Sequence, residues 1–223
     1  MTRRIPRFTL SIMAILAAFT TAAYAGPPLV CHAIEIGQAK TLPSVDLNYR
    51  KGSTAYDLKN LATDALSILD ADSSVLVHME TLRRATLYAR QDPQVAKELL
   101  IRLQARAGNA ETAHPANALA WFDVGYLAAT YKEWFGKQEA NPAAGLDGYA
   151  LVKKAITLRG EDAEMEFAAA LITLAGPERD HQEHTRRAVA GSNSDPLLAK
   201  NLDLRFNQQT VSELLVRPGE AKH

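Results

Sequence analysis

From residue 54 onward, apolar side chains recur with the period of a helix. Leu58, Leu61, Ala62, Ala65, Leu66 and Leu69 fall at i, i+3, i+4, i+7, i+8 and i+11, one stripe along a first helix. Ser73 or Ser74 is a candidate cap for a second, with Val75, Met79, Leu82, Thr86 and Ala89 on one face. Asp92-Pro93 opens a third, because aspartate caps and proline suits the first helical position. Val95, Leu99 and Leu103 form its inward stripe, and Gly108 is its expected end. His114-Pro115 precedes a fourth over 116–135. Its apolar arc (Leu119, Trp121, Phe122, Val124, Tyr126, Leu127, Trp134) is wide enough to predict a central, buried position. A loop over 136–145 leads to a fifth helix, 146–158, which uses Tyr149, Val152 and Ile156 and stops at Gly160. Asp162 caps a sixth, almost wholly apolar (Met165, Phe167, Ala168, Leu171, Ile172, Leu174) and broken by Gly176-Pro177. The seventh, 178–190, is mostly polar and is expected outermost; Asp195-Pro196 opens the eighth, with Leu197, Leu198, Leu202 and Phe206. This pattern predicts an all-α protein of antiparallel helix pairs, since short connections make successive helices neighbours.

The chain before residue 54 reads differently. Residues 26–53 lack helical period and are punctuated by Pro27, Pro28, Pro43, Gly26, Gly37 and Gly52, which predicts an irregular arm lying on the helical body. Within it Ile34 and Ile36 alternate with Ala33 and Glu35, the pattern of a short extended piece. Residues 1–25 have three parts: basic Arg3, Arg4 and Arg7, an apolar run over 8–21, and Ala23-Tyr24-Ala25. That is the layout of a secretory signal peptide cleaved after Ala25. The expected organisation is a signal peptide (1–25), an arm (26–53), one helical domain (54–216) and a tail (217–223). The expected localisation is periplasmic or secreted, with no transmembrane segment in the mature chain. Val30 before Cys31 stands where a lipoprotein signal wants a small residue, so lipid attachment is not expected.

Composition narrows the function classes. With 25 Lys+Arg against 25 Asp+Glu and 47% hydrophobic residues, the 223-residue chain is neither disordered nor a broadly basic nucleic-acid binder. Its single cysteine cannot build an internal disulfide framework or a thiolate-rich zinc site.

The segment Ala120-Trp121-Phe122-Asp123-Val124-Gly125-Tyr126-Leu127 resembles the first helix of a tetratricopeptide (TPR) repeat. Trp121 and Gly125 match that family's pattern, Val124 replaces its Leu, and Ala128 stands where Tyr is usual. Ala155 to Gly160 looks like the close of a second helix, with Gly160 in place of Pro. The interval from Trp121 to Glu166, its phase equivalent, exceeds the family's period of about 34 residues by the length of the 136–146 loop. The resemblance covers about residues 118–190. It implies a TPR-like α-solenoid with a concave groove for a protein or peptide, lined by phase with Phe122, Tyr126, Thr130, Phe167 and Leu171. An irregular helical bundle, in which the same five residues are core, is the other architecture the pattern allows. The start of the mature chain is also similar to uncharacterised secreted bacterial proteins, a likeness that implies no activity.

Candidate chemistry is sparse. Cys31-His32 offers a thiolate and an imidazole to a soft metal, or a reactive thiol, or an inter-chain disulfide. His181 and His184 sit at i and i+3, close enough on a helix to share an ion. No nucleophile elbow, phosphate loop, zinc-protease motif or dinucleotide fingerprint occurs, so no cofactor and no catalytic residue is assigned. The leading expectation is a non-enzymatic protein-binding or assembly module. The alternatives are a metal-binding or thiol-active protein using these Cys and His residues, and a hydrolase with a composite site.

Overall fold

The computed structural model describes residues 26–44, 56–70, 73–111, 117–135 and 141–206. The proposed signal peptide, its cleavage point after Ala25 and the tail lie outside the described residues. Eight α-helices follow in order: α1 (Leu61–Leu69), α2 (Val75–Ala89), α3 (Pro93–Glu111), α4 (Ala118–Phe135), α5 (Gly148–Arg159), α6 (Ala163–Ile172), α7 (Glu178–Gly191) and α8 (Pro196–Arg205). Short 3-10 turns, Leu58–Asn60 and Ser192–Ser194, lead into α1 and α8. The protein is all-α, with no strand among the described residues. No described helix is long and apolar enough to cross a membrane.

Aspartates start four of these helices by accepting the otherwise unpaired N–H groups of the first turn. Asp92 accepts from Gln94 N at 2.8 Å, Asp147 from Ala150 N at 3.0 Å and Asp162 from Met165 N at 2.9 Å. Asp195 accepts from both Leu197 N and Leu198 N at 3.0 Å. Gly160 ends α5 at φ +87°, a conformation natural to glycine. Gly108 does not end α3, which continues to Glu111; this glycine does not take the positive φ that a terminating glycine uses.

α4 and α5 form an antiparallel pair whose backbones meet at Gly125 and Gly148. α6 and α7 form a second, with Gly191 against Ala163. α2 runs parallel to α4, as the pairs His78–Asp123 and Thr86–Thr130 show. α2, α4 and α6 all pack against one another, so the first helices of successive pairs converge. α2 departs from the single-faced helix expected of it: fourteen of its residues are buried and only Arg84 is half-exposed. Its polar residues survive burial because each finds a partner on another element, Thr81 on Thr41 (2.9 Å) and Thr86 on Thr130 (2.8 Å) among them. α4 is buried over most of its surface, as its wide apolar arc predicts. α7 turns Ala188 and Val189 inward and leaves Glu178, Arg179, Gln182 and Arg186 exposed.

Candidate functional site

The described part of the arm, 26–44, has neither helix nor strand, so its backbone polar groups need partners from elsewhere. Side chains of the body supply them. Glu133 of α4 accepts from Leu29 N at 2.9 Å, and Glu80 of α2 accepts from Ile34 N at 2.9 Å. Arg83 donates to Val30 O (2.9 Å) and Arg84 to Leu42 O (2.5 Å). From α8, Arg205 donates to Pro28 O at 3.0 Å and His32 O at 2.8 Å. Asn201 brackets Glu35, accepting from its N and donating to its O, both at 2.9 Å. Leu29, Val30, Ile34, Ile36 and Leu42 meanwhile enter the core, while Ala33 stays exposed and Glu35 half-exposed. The alternation read from the sequence is therefore met by irregular backbone clasped by helices, with Ile34 and Ile36 turned inward.

Charge inside this cradle is partly compensated, with Arg83, Arg84 and Arg205 set against Glu80 and Glu133. Burial pushes the Glu80 carboxyl up. Its bonds from Arg83 (2.7 and 2.9 Å), Ile34 N–H and Arg84 (2.6 Å) outweigh that and hold it below the usual carboxylate range. Glu133 has weaker compensation. Burial pushes it up to about 7, against the opposing pull of Leu29 N–H and Arg205. Tyr126 lies fully buried near these same charged groups, and its hydroxyl has no hydrogen-bond partner.

The structure places Cys31 and His32 in this arm, both half-buried. Burial, then the charge of Glu133, raises the Cys31 thiol, so it favours the protonated form rather than the thiolate that metals and disulfide exchange require. Burial, then Arg205 and Arg83, holds the His32 imidazole low. His181 and His184 do not converge either. His181 Nδ1 donates to Ala170 O at 2.9 Å, whereas His184 turns to Glu166 of α6. Among the described residues no group of three or more His, Cys, Asp or Glu side chains is placed to hold a metal ion.

The five residues expected to line a groove are interior. Phe122, Tyr126, Thr130, Phe167 and Leu171 are each 0% exposed. Phe122 stacks on Tyr126 with centroids 5.6 Å apart, Thr130 bonds Thr86, and Phe167 meets Phe206 edge-on at 6.1 Å. The physical reason is the convergence of α2, α4 and α6, which brings these faces into the core.

Two polar clusters were not visible in the sequence. In the first, His184 Nδ1 bonds Glu166 Oε2 at 2.5 Å, and its Nε2 pairs with the Tyr149 hydroxyl at 2.8 Å. That hydroxyl also donates to Asp180 at 3.2 Å. Arg187 donates to Glu166 Oε1 at 3.2 Å. Glu166 and Arg187 also line an open cleft of about 870 Å³, with Ile156, Thr157, Ala163 and Gly191. An acid, an imidazole and a hydroxyl in line suggest nucleophilic chemistry, but burial and then Asp180 push the Tyr149 phenol up to about 12. It keeps its proton, and the chain joins α5, α6 and α7. In the second cluster Asp123 accepts from His78 Nδ1 and Arg106 Nη1, each at 2.6 Å; Arg106 also reaches Asp70 at 2.6 Å and Leu69 O at 2.8 Å. This knot joins α1, α2, α3 and α4 out of contact with solvent at His78 and Asp123. The sequence signal for both clusters was a polar residue inside an apolar helix, Asp123 in α4 and Glu166 in α6.

Comparison with known proteins finds no matching family model, no matching curated protein and no matching solved structure.

Proposed function

We propose that the chain is a secreted or periplasmic protein-binding or assembly module built from TPR-like helix pairs, and that it is not an enzyme. One observation carries this reading. The helical body holds a non-helical stretch of polypeptide, its own arm, by the backbone, through Glu80, Arg83, Arg84, Glu133, Asn201 and Arg205. Contacts to peptide N–H and C=O groups, with apolar side chains inserted beside them, are how proteins recognise extended partner segments. A raised thiol at Cys31 and divergent histidines at 181 and 184 give the metal and thiol alternative less support. The raised Tyr149 phenol does the same for the hydrolase alternative.

The test is cross-linking mass spectrometry on the mature protein in envelope extract. The expected result is one protein recovered in stoichiometric amount through lysines near the arm, such as Lys40. Turnover of a substrate with no stoichiometric partner would overturn the reading.

A further inference from the structure

We infer that the Tyr149 hydroxyl is a two-position proton switch between α5 and α7, independent of what the protein binds. It donates to Asp180 while His184 carries a proton on both ring nitrogens, and turns to His184 Nε2 when that nitrogen is bare. The ground is a count of protons. The hydroxyl lies 2.8 Å from His184 Nε2 and 3.2 Å from Asp180 Oδ2, and a phenol has one hydrogen to give. A carboxylate only accepts, so the bond to Asp180 uses that hydrogen. The bond to His184 then runs the other way, from Nε2–H to the phenol oxygen. On the far side of the ring, Nδ1 meets Glu166 Oε2. Burial raises Glu166, but the bonds from His184 and Arg187 prevail and keep it a carboxylate, so Nδ1 donates as well. All three bonds hold at once only when His184 is an imidazolium.

The charged groups around the ring come from all three helices. Glu166 on α6 and Asp180 on α7 are its anions. Arg187 on α7 lies between Glu166 and Glu183, and Lys153 on α5 sits over the Tyr149 ring, 4.4 Å from its centroid. His181, one turn back on α7, is engaged with Ala170 O. Loss of the Nε2 proton leaves a nitrogen that can only accept. The hydroxyl then has two acceptors for one hydrogen. The nearer and more buried one takes it, and the half-exposed Asp180 turns to water. Asp180 belongs to the first turn of α7, so rising pH frees that turn from α5 while Glu166 still holds His184. Histidine is the side chain that changes charge in the physiological range, which makes this contact between helices a pH-sensitive one.

The test is nitrogen-15 NMR of the full mature chain, labelled at histidine, between about pH 5 and pH 8. The His184 signals are those absent from His184→Gln or, if that variant unfolds, those whose ring protons contact the Tyr149 ring, which meets the imidazole edge-on at 5.6 Å. The expected result is two protonated ring nitrogens in acid and, above the transition, a proton on Nδ1 alone. Unchanged protonation across the range, or a proton retained on Nε2 instead of Nδ1, overturns the switch. Asp180→Ala should lower the pH of the transition by about half to one unit. In a Tyr149→Phe background the same substitution should move it less than half as far, because Asp180 acts on His184 through the hydroxyl. An equal shift in both backgrounds would reduce Asp180 to a nearby surface charge and overturn the switch too. The spectra of the unsubstituted protein decide the matter even where a variant fails to fold.

Discussion

Gly125 and Gly148 bring the backbones of α4 and α5 into contact. A Cβ built on Gly125 would lie 2.8 Å from both Gly148 O and Val152 N, and one on Gly148 would lie 2.5 Å from Gly125 O. These are backbone atoms, so a side chain at either position forces the helices apart. Gly125→Ala should destabilise the protein by about 1–3 kcal/mol, the usual cost of overpacking. Gly108→Ala is the natural control. It too lies inside a helix, nothing stands within 4 Å of its Cβ position, and it should stabilise by up to about 1 kcal/mol. Urea denaturation of both variants checks the pair; equal effects would contradict the packing argument.

Asp123 joins the buried His78 to Arg106, whose side chain reaches the surface. The side chains of Asp123 and His78 are 0% exposed. Asp123→Ala leaves the buried His78 Nδ1 unpaired and removes one of the two carboxylates on Arg106, and should destabilise by about 1–3 kcal/mol. Asp70 accepts from the same Arg106, but its side chain is 60% exposed, and Asp70→Ala should cost under about 1 kcal/mol. Chemical denaturation should rank the two variants in that order.

Two raised carboxyls and two lowered ones predict a stability maximum in mild acid. Burial pushes Glu133 and Glu164 up to about 7 from an unfolded value of 4.5; an Asp195 carboxyl beside Glu164 adds to the effect there. A carboxyl that resists ionisation in the fold favours the folded state most below 4.5. That advantage is lost as pH rises from 4.5 to about 7. Glu80 and Glu166 work the other way. Burial raises them, but Arg83 and His184 respectively prevail, so their contribution is present above 4.5 and lost as pH falls below it. The thermal midpoint should therefore be higher near pH 5 than at pH 8, and fall again below pH 4. Glu133→Gln should flatten the limb between 5 and 8, whereas an unchanged slope would remove Glu133 from the account.

Several helix boundaries were legible from local chemistry. Asp92, Asp162 and Asp195 cap within a few residues of themselves, and Gly160 adopts the backbone its position invites. Asp147, expected inside the helix over 146–158, instead caps α5, and Gly108 lies inside α3. Gly125 stood out in the sequence through the repeat pattern, but its contact with Gly148 is set by the packing of α4 on α5. Burial of α2 was not legible, because His78 and Glu80 are made tolerable by Asp123 and Ile34 N, far along the chain. His184 shows the same limit. Its helical neighbour His181 suggested a shared ion, but the stronger partner was Glu166 on another helix. The arm gave one clue, the alternation at Ile34 and Ile36; nothing local announced that arginines, glutamates and an asparagine would clasp its backbone.

Cys31 offers a chemical readout of how closely the arm is held. Its thiol is raised first by burial and second by the charge of Glu133, with Arg83 opposing. Both causes depend on a docked arm, because Glu133 meets the arm at Leu29 N, two residues from the thiol. Alkylation proceeds through the thiolate, so modification by iodoacetamide at pH 8 should be slower than for a thiol in a short free peptide. Glu133→Gln removes the charge but keeps a side-chain carbonyl able to accept from Leu29 N. It should speed alkylation by lowering the thiol's pKa, with no change in circular dichroism. Leu29→Ser acts differently, loosening the arm and removing burial as well as proximity, so it should speed the reaction more. The order free peptide, Leu29→Ser, Glu133→Gln, unsubstituted protein, from fastest to slowest, is what a thiol shielded by a docked arm requires. If the unsubstituted protein reacted as fast as the peptide, Cys31 would have to be exposed and the arm undocked in solution.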